Sequence, residues 1–514
     1  MRSYKIFTYD DLCATDRHLL KVVKSLHKVL MIYPKVGYMD AHRDKPAPPL
    51  GILAAVSYLK NHYEIVILDQ RLYKTNRDFY DDLLKVLKEN PLYAGLSVFT
   101  GAMITFGLEI SKYIKKNSNV PVLWGGVHPS LLPQQTLEND LIDYVIQGEG
   151  ELTLREFTDM LADNGRMVSP IQGVWSKQGD VIHFGGEREL IDLQEMPPMP
   201  YDLIDFNQYI QYYKGKKYIY YQASRGCPRR CKYCYNLVFN KGKFRSKTIS
   251  KIIFEIQELQ TKYSFDGVFF VDDNIFVHGK EYIMTLGESL FKMGLSWYVQ
   301  GSDIVALKQY TERDFKLLEE YGLDRIAVGV ESTTKKIRSM IDKQGELSDI
   351  EEVITKLKDT SILIWCTYLI NFPEETISDL HHSIRFIFRL YDINKNVLNA
   401  PFFIYTPNPG TPLYEHYKNI LPSPKTLEEW GRVGWERKDA NIFVDYLHDE
   451  HFFQSLFLAS MFNDRKISIY SPNKIFVFLA NCYRPVARWR LKNLCFRFNI
   501  ELSIFKRFFP DIFL

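Results

Sequence analysis

The sequence predicts an α/β protein: an N-terminal doubly wound parallel sheet, then a partial (β/α)6 barrel, then a C-terminal helical cap. Three observations carry this. Short apolar strands without polar alternation recur between helices of roughly ten residues, over residues 28–164 and again over 217–412, the pattern of parallel sheets covered on both faces. A proline-rich stretch separates the two series. The second series has six strands, too few to close an eight-stranded barrel, so it is expected to stay open and curved with its mouth at the strand C-termini.

Bulk properties narrow the class. At 514 residues, 46% hydrophobic and 25% charged, the chain has material for two or three domains with ample cores. A formal charge of +3 selects no partner. No apolar run approaches the ~18 residues of a membrane span. The opening Met1-Arg2-Ser3-Tyr4-Lys5 has no signal-peptide apolar stretch, so a cytoplasmic location is expected. Seven cysteines, three of them in one motif, argue against a secreted disulfide framework. Cys13, Cys366, Cys482 and Cys495 are isolated and read as buried thiols.

Residues 1–27 read as an extension with an amphipathic helix whose apolar side is Leu19, Leu20, Val22, Val23 and Leu26. The first domain follows over 28–164. Strands are expected at 29–33, 64–69, 93–98, 121–124 and 144–146, with helices at 50–60, 79–88 and 104–115. Open parallel sheets bind ligands at the carboxyl ends of their strands. There stand Ser97, Thr100 and Gly101, then Gly125-Gly126-Val127-His128-Pro129, then Gly148-Glu149-Gly150-Glu151. Glycines at these ends let a bulky ligand approach the backbone; ordinary strand-to-helix turns are the competing reading. Residues 165–216 read as a connector, with a hairpin around Gln178-Gly179 and the linker Leu193-Gln194-Glu195-Met196-Pro197-Pro198-Met199-Pro200, too rich in proline for helix or central strand.

The second domain opens with the strand-like run 217–223 and then Cys227-Pro228-Arg229-Arg230-Cys231-Lys232-Tyr233-Cys234, three cysteines spaced C-x3-C-x2-C. Three thiolates on one tight loop can hold three irons of a cubane cluster and leave the fourth iron open for a small molecule. A closed zinc site would want a fourth Cys or His, and none follows before His278. The remaining strands are expected at 268–271, 297–300, 325–332, 362–370 and 400–405, with a helix starting near Ser246 or Thr248. Polar residues gather at the strand ends: Asp272-Asp273-Asn274, Gln300 and Asp303, Glu331, and Asn371-Phe372-Pro373-Glu374-Glu375-Thr376. For each acid alone, a helix cap or surface pair is the commoner meaning. Their joint occurrence at successive strand ends points to a site.

The cysteine spacing, with aromatic Tyr233 before the last cysteine, resembles that of the radical S-adenosylmethionine (SAM) enzymes, and the resemblance covers residues 217–412. It implies that Cys227, Cys231 and Cys234 bind a 4Fe-4S cluster whose open iron takes SAM. It also implies that Tyr233, Asp272, Asp273, Gln300, Glu331 and Asn371 lie around SAM. Asn371 replaces the glycine of the family's G-F-P-x-E-T turn. Residues 28–160 resemble the cobalamin-binding domain preceding many such barrels, through Pro48-Pro49-Leu50-Gly51, Trp124-Gly125-Gly126-Val127-His128-Pro129 and Gly148-Glu149-Gly150-Glu151. The residues implied around cobalamin are Ser97, Thr100, Gly101, Gly125, Gly126, His128 and Gly148. Relatives with a lower axial histidine carry D-x-H-x-x-G before the first helix; here the histidine position is Pro48, and nearby His42 reads as a solvent-facing loop residue.

Residues 413–514 form the last region. From Lys466 to Leu514 there are nine Lys/Arg against two acids, and eleven aromatics. Arg484-Pro485-Val486-Ala487-Arg488-Trp489-Arg490-Leu491-Lys492 and Phe496-Arg497-Phe498 interleave basic and aromatic side chains. A surface for anionic lipid or a lipid-like substrate is one reading, and a helical cap with arginines lying over core aromatics is the other. No nucleic-acid module accompanies them. The resemblance as a whole implies a cobalamin-dependent radical SAM C-methyltransferase. It would use a 5′-deoxyadenosyl radical on a small-molecule substrate, lipid-like or tetrapyrrole, with an external flavodoxin- or ferredoxin-type electron donor. The alternatives are a radical cyclase, oxidase or rearrangement enzyme without methyl transfer, and a non-catalytic iron–sulfur or cobalamin sensor, for which no output module is visible.

Overall fold

The expected alternation of strands and helices is present in a computed structural model, which describes residues 27–37, 45–179, 181–399, 402–420, 423–433, 443–464, 466, 474–497 and 501–503. The helix expected around Leu19–Leu26, with Cys13, His42 and Phe498, lies outside these residues. Chain packing makes two units, one built mainly on Pro49–Ile191 and the other on the chain from Asn207 onward.

In the first unit, β1 (Lys28–Tyr33), β2 (Glu64–Asp69), β3 (Ala94–Ser97), β4 (Val122–Gly125) and β5 (Tyr144–Ile146) form a parallel sheet in the order β2-β1-β3-β4-β5. Val29, Leu30 and Ile32 of β1 are completely buried, as a strand covered on both faces requires. The helix Asn76–Lys88 starts at Thr75, whose hydroxyl accepts from the Asp78 N–H. Helix Ala102–Asn117 crosses the sheet closely because Gly107 lies against Trp124, where a Cβ would stand 3.0 Å from the ring. Trp124 is fully buried and donates Nε1–H to Ser111 at 3.0 Å. The helix expected over 50–60 is shorter, Leu50–Ala55, and the chain continues in turns. The hairpin, β6 (Val174–Gln178) and β7 (Val181–Phe184), adds to this sheet: β6 pairs antiparallel with β5, Tyr144 opposite Ser176.

In the second unit, β8 (Gln211–Tyr213) pairs antiparallel with β9 (Lys216–Tyr221). A two-residue ladder, β10 (Ser224–Arg225) on β11 (Arg245–Ser246), follows at once. The parallel strands continue with β12 (Gly267–Phe270), β13 (Ser296–Val299), β14 (Leu323–Glu331) and β15 (Leu363–Ile370). The sixth position is shared by β16 (Val397–Asn399), beside residues 364–366, and β17 (Phe403–Ile404), beside 369–370. One strand is expected at 400–405; the described residues show two pieces, and Ala400 and Pro401 lie outside them. The order β8-β9-β12-β13-β14-β15-β16 is an open partial barrel. Helix Ile249–Lys262 begins where expected, capped by Thr248, and buries Ile252, Ile256 and Leu259. The last region is helical at Pro412–Tyr417, Leu427–Trp430, Glu450–Asn463 and Lys474–Asn493. Of the isolated cysteines, Cys366 is buried, but Cys482 is exposed and Cys495 half-buried, because both lie near the chain surface on or just after the last helix.

Candidate functional site

The cysteine loop is closed at its base by the β10–β11 ladder. Gly226 enters it with φ +83°, and a Cβ there would stand 2.0 Å from the Lys243 carbonyl oxygen, so the loop's two legs approach through glycine alone. The end of β12 fixes the loop from below. Asp272, 2% exposed, accepts from the Ala223 N–H at 3.1 Å and from the Ser224 N–H and hydroxyl. Asp273 accepts from the Gly226 N–H at 2.9 Å and the Tyr235 hydroxyl at 3.2 Å. Asn274 donates Nδ2–H to Cys227 Sγ at 3.6 Å and to Asp303 at 2.5 Å, while Arg229 donates to Asp303 at 3.0 Å. Further along, the Lys232 N–H donates to Ile341 O and the Leu413 N–H to Lys232 O.

Burial pushes all three thiols up, Cys234 to about 12, so an electropositive metal is needed to hold them as thiolates. Burial likewise carries Asp272 to about 7 against its three hydrogen bonds. Among the described residues no three His, Cys, Asp or Glu side chains converge on a single-ion site; thiolates that each take a different iron need not converge. The donor set, three thiols on one braced loop with an amide N–H on one sulfur, fits a cubane held at three corners.

A second group lies beside it. The bulge between β14 and β15 at Gly329/Glu331 puts Glu331 at φ +65°, a left-handed conformation that a non-glycine residue holds at a cost. Its carboxylate pairs with Lys343 at 3.8 Å and accepts from the Tyr233 hydroxyl. Burial raises the carboxyl, and Lys343 opposes that. Gly329 makes room for the pair: a Cβ there would meet the Glu331 carboxylate at 2.3 Å and Lys343 Nζ at 3.1 Å. Buried Arg338 braces the bulge, donating to Val330 O at 3.0 Å and Ser332 O at 2.9 Å. Tyr233 also lies edge-on to Phe372, 5.8 Å away, so the cysteine loop, the end of β14 and the turn after β15 meet.

In that turn Asn371 has φ +75°, is fully buried, and accepts from the Phe443 N–H at 2.7 Å. Asparagine tolerates left-handed backbone better than other side-chain-bearing residues, which is why it can stand at a glycine position. Glu375 accepts from the Phe372 N–H at 3.0 Å, and burial pushes its carboxyl up to about 8. Gln300 directly follows β13, with its side chain exposed. Asn274 is named from sequence together with Asp272 and Asp273 at the end of β12. Arg338, Lys343 and Tyr235 are not, and no sequence signal marks them.

In the first unit the selected residues gather at the carboxyl ends of β3, β4 and β5, where the sheet order turns back at β1/β3. Thr100 Oγ1 and His128 Nδ1 are 3.0 Å apart. Burial lowers His128 to about 3, so it is neutral. Gly101 and Gly126 have φ of +110° and +100°, and a Cβ at Gly126 would meet the Val98 backbone at 2.8 Å and Ser97 Oγ at 3.3 Å. Gly148 has φ +81° with nothing within 4 Å of where a Cβ would point; its N–H donates to Ser130 Oγ at 2.8 Å. Gly126 thus answers to the Val98 backbone, while the open space at Gly148 gives these turns, with Gly125, the form of a cradle that would admit a bulky ligand such as cobalamin against the main chain.

Comparison with known proteins identifies both domains. The Radical SAM superfamily model matches residues 221–387 and the B12 binding domain model residues 39–158. An uncharacterized methyltransferase of Pyrococcus horikoshii is 28% identical over 77% of this chain and 83% of its own. The anaerobic magnesium-protoporphyrin IX monomethyl ester cyclase of Rubrivivax gelatinosus is 23% identical over 76% of this chain and 69% of its own. Among solved structures, the cobalamin-dependent S-adenosylmethionine radical enzyme OxsB with aqua-cobalamin bound has the same fold, with TM-score 0.69 at 16% identity over 99% of this chain and 79% of that one.

Proposed function

The chain is a cobalamin-dependent radical SAM enzyme, and from that premise we propose that it is a C-methyltransferase acting on an unactivated carbon of a small molecule. The observation that carries the proposal is the presence in one chain of the braced three-thiol loop and the glycine cradle at the carboxyl edge of a parallel sheet. When bound, the 4Fe-4S cluster with SAM supplies a 5′-deoxyadenosyl radical and cobalamin supplies the methyl group.

The chain's own residues hold and orient. Cys227, Cys231 and Cys234 would bind the cluster, on a loop that Asp272 and Asp273 keep in place through backbone N–H groups. Glu331 offers an acceptor and Lys343 a donor, a pair that matches the ammonium and carboxylate of SAM. Tyr233 fixes the Glu331 carboxylate, and Arg338 fixes the strained backbone that carries it. Ser97, Thr100, Gly101, Gly125, Gly126, His128 and Gly148 would line the cobalamin cradle. His128, neutral and buried, serves there as a packing and hydrogen-bonding group.

The similarity to the anaerobic cyclase favours a second reading, a radical cyclase in which no methyl group moves, and with it a tetrapyrrole as substrate class. One experiment separates the two. The protein is reconstituted anaerobically with iron, sulfide and hydroxocobalamin, then given reductant, SAM and a panel of tetrapyrroles and isoprenoid lipids. Methyl transfer yields S-adenosylhomocysteine alongside 5′-deoxyadenosine and a product one methylene heavier. A cyclase yields 5′-deoxyadenosine without S-adenosylhomocysteine. Absence of 5′-deoxyadenosine from a fully loaded protein refutes both. Cys231→Ala is expected to abolish SAM cleavage while leaving cobalamin binding intact.

A further inference from the structure

We propose that Asn371 is a positioning residue: its carboxamide ties the segment 443–447 across the turn 371–376, and SAM affinity in this chain depends on that tie. The proposal rests on the reading that this turn borders SAM. The turn does not hold itself. Asn371 and Glu374 stand at φ +75° and +64°, two left-handed residues within four positions, and such backbone persists only where its surroundings fix it. At Glu374 the surroundings are the Tyr417 hydroxyl, which donates to its carboxylate at 2.7 Å, and Lys336 Nζ, which donates to its carbonyl at 2.5 Å. At Asn371 a glycine would take the same φ freely. An asparagine takes it at a cost, and its side chain returns something for that cost: Oδ1, fully buried with the rest of the residue, accepts from the Phe443 N–H at 2.7 Å.

The segment that donates is itself firmly seated. Val444 and Leu447 are buried, and the Tyr446 ring lies edge-on to Phe452 at 5.9 Å. The buried Tyr446 hydroxyl faces the Glu375 carboxyl, which accepts from the Phe372 N–H at 3.0 Å inside the turn. Phe443 also adds its ring to a run of packed aromatics that ends in the cysteine loop. Phe443 lies 6.1 Å from Tyr405, Tyr405 5.0 Å from Phe372, and Phe372 5.8 Å from Tyr233. Tyr233 precedes Cys234 and donates to the Glu331 carboxylate. The segment therefore bears on the turn directly and, through three ring contacts, on the residue that fixes Glu331. Phe443 and Tyr446 lie well beyond residue 387, where the superfamily match ends. The last region of the chain thus completes the SAM site as well as capping the barrel.

The test is titration of the anaerobically reconstituted full chain with SAM by calorimetry, with iron content measured on the same samples. Asn371→Gly keeps the backbone conformation and deletes the tie. It should keep the parent's cluster content and bind SAM about fivefold more weakly. Phe443→Ala, which keeps the N–H but removes the ring, should weaken SAM as well. In the double variant the two losses should fall short of multiplying, because both act through one segment. Thr248→Ala is the control: it removes a helix cap elsewhere in the same unit, a stability loss of similar size, and should leave SAM affinity at the parent value. The proposal is overturned if Asn371→Gly binds SAM like the parent, if Thr248→Ala weakens SAM as much, or if the losses multiply. SAM binding that Glu331→Gln weakens and Asn371→Gly does not would overturn this proposal alone. A parent that holds a full cluster and binds no SAM would overturn the reading of the site and the proposal with it.

Discussion

Gly226→Ala should empty the iron–sulfur site while leaving most of the fold in place. Two costs combine at this position. At φ +83° an alanine sits in left-handed backbone, at about 1–2 kcal/mol. Its Cβ would also stand 2.0 Å from the Lys243 carbonyl oxygen, over 1 Å inside ordinary contact, and that oxygen is main chain in the loop's other leg. No side-chain rotation relieves it. The legs must part, which strains the β10–β11 ladder and the bond from the Gly226 N–H to Asp273, each worth about 0.5–1.5 kcal/mol or more. The local penalty is about 3–5 kcal/mol, enough to open a loop without unfolding a unit of this size. The assay is iron and sulfide per chain after anaerobic reconstitution, with visible absorbance as a check. Gly215→Ala is the control: φ is +77° there but nothing lies within 4 Å of the Cβ, so it carries the backbone cost alone and should keep its cluster. Equal cluster content in Gly226→Ala and Gly215→Ala would refute the close-approach argument.

Asn274→Leu removes the amide donor to Cys227 Sγ and should move the cluster's midpoint to a more negative potential, read by an electron-paramagnetic-resonance titration; an unchanged potential rules the contact out as a tuning bond. Glu375 sets a pH dependence. Its folded carboxyl is raised from 4.5 to about 8, so its contribution is fully present below 4.5 and is lost as pH rises through 8, up to about 5 kcal/mol. Urea unfolding should show stability falling across that window in the parent and a flatter profile in Glu375→Gln; parallel profiles would contradict the assignment. Asp272→Asn should lose cluster, because its amide would set a donor against the Ala223 and Ser224 donors. Glu331→Gln should keep its cluster but bind SAM about tenfold more weakly by calorimetry. Matching effects of the two substitutions would argue against separate roles.

The parts of this fold that are legible in sequence are those set by local chemistry. Apolar strands such as Val29–Ile32 and hydroxyl caps such as Thr248 depend on neighbours within a few residues, and they form where expected. Pairing across the chain is different. Nothing local in Val174–Gln178 says that it will extend the first sheet, since that depends on the free edge of β5. The two-piece sixth strand likewise reflects where β15 offers partners. At the site, Cys227, Cys231 and Cys234 announce themselves by spacing. Arg338 and Lys343 do not, because their partners are a backbone bulge and the carboxylate it displays, and a bulge has no one-residue signature. Asn371 is the instructive case: by sequence it departs from a glycine pattern, yet its φ of +75° shows the same backbone requirement met by the next most tolerant residue.

The acidic residues at the strand ends divide by what they accept. Asp272 is filled by main-chain and hydroxyl donors from residues 223 and 224, and Asp273 by the Gly226 N–H and Tyr235 hydroxyl, so both face the loop that would carry the metal. Glu331 takes no such share of loop backbone; it has a phenol and an ammonium, both able to exchange partners with a polar ligand. The distinction has an energetic basis. A carboxylate bound to main-chain donors loses strong charge-assisted bonds if it turns to a ligand, whereas one paired to side chains can trade one partner for another at smaller net cost. The strained φ of Glu331 supports the same division. Strain of about 1–3 kcal/mol survives only where surroundings over-determine it, and Arg338, holding the carbonyls of Val330 and Ser332, is the residue that does so. In a radical enzyme such rigidity has a purpose, because a reactive intermediate attacks whatever lies nearest. A frame of backbone-locked aspartates with one displayed glutamate would keep the reacting atoms in place without putting loose side chains in their path.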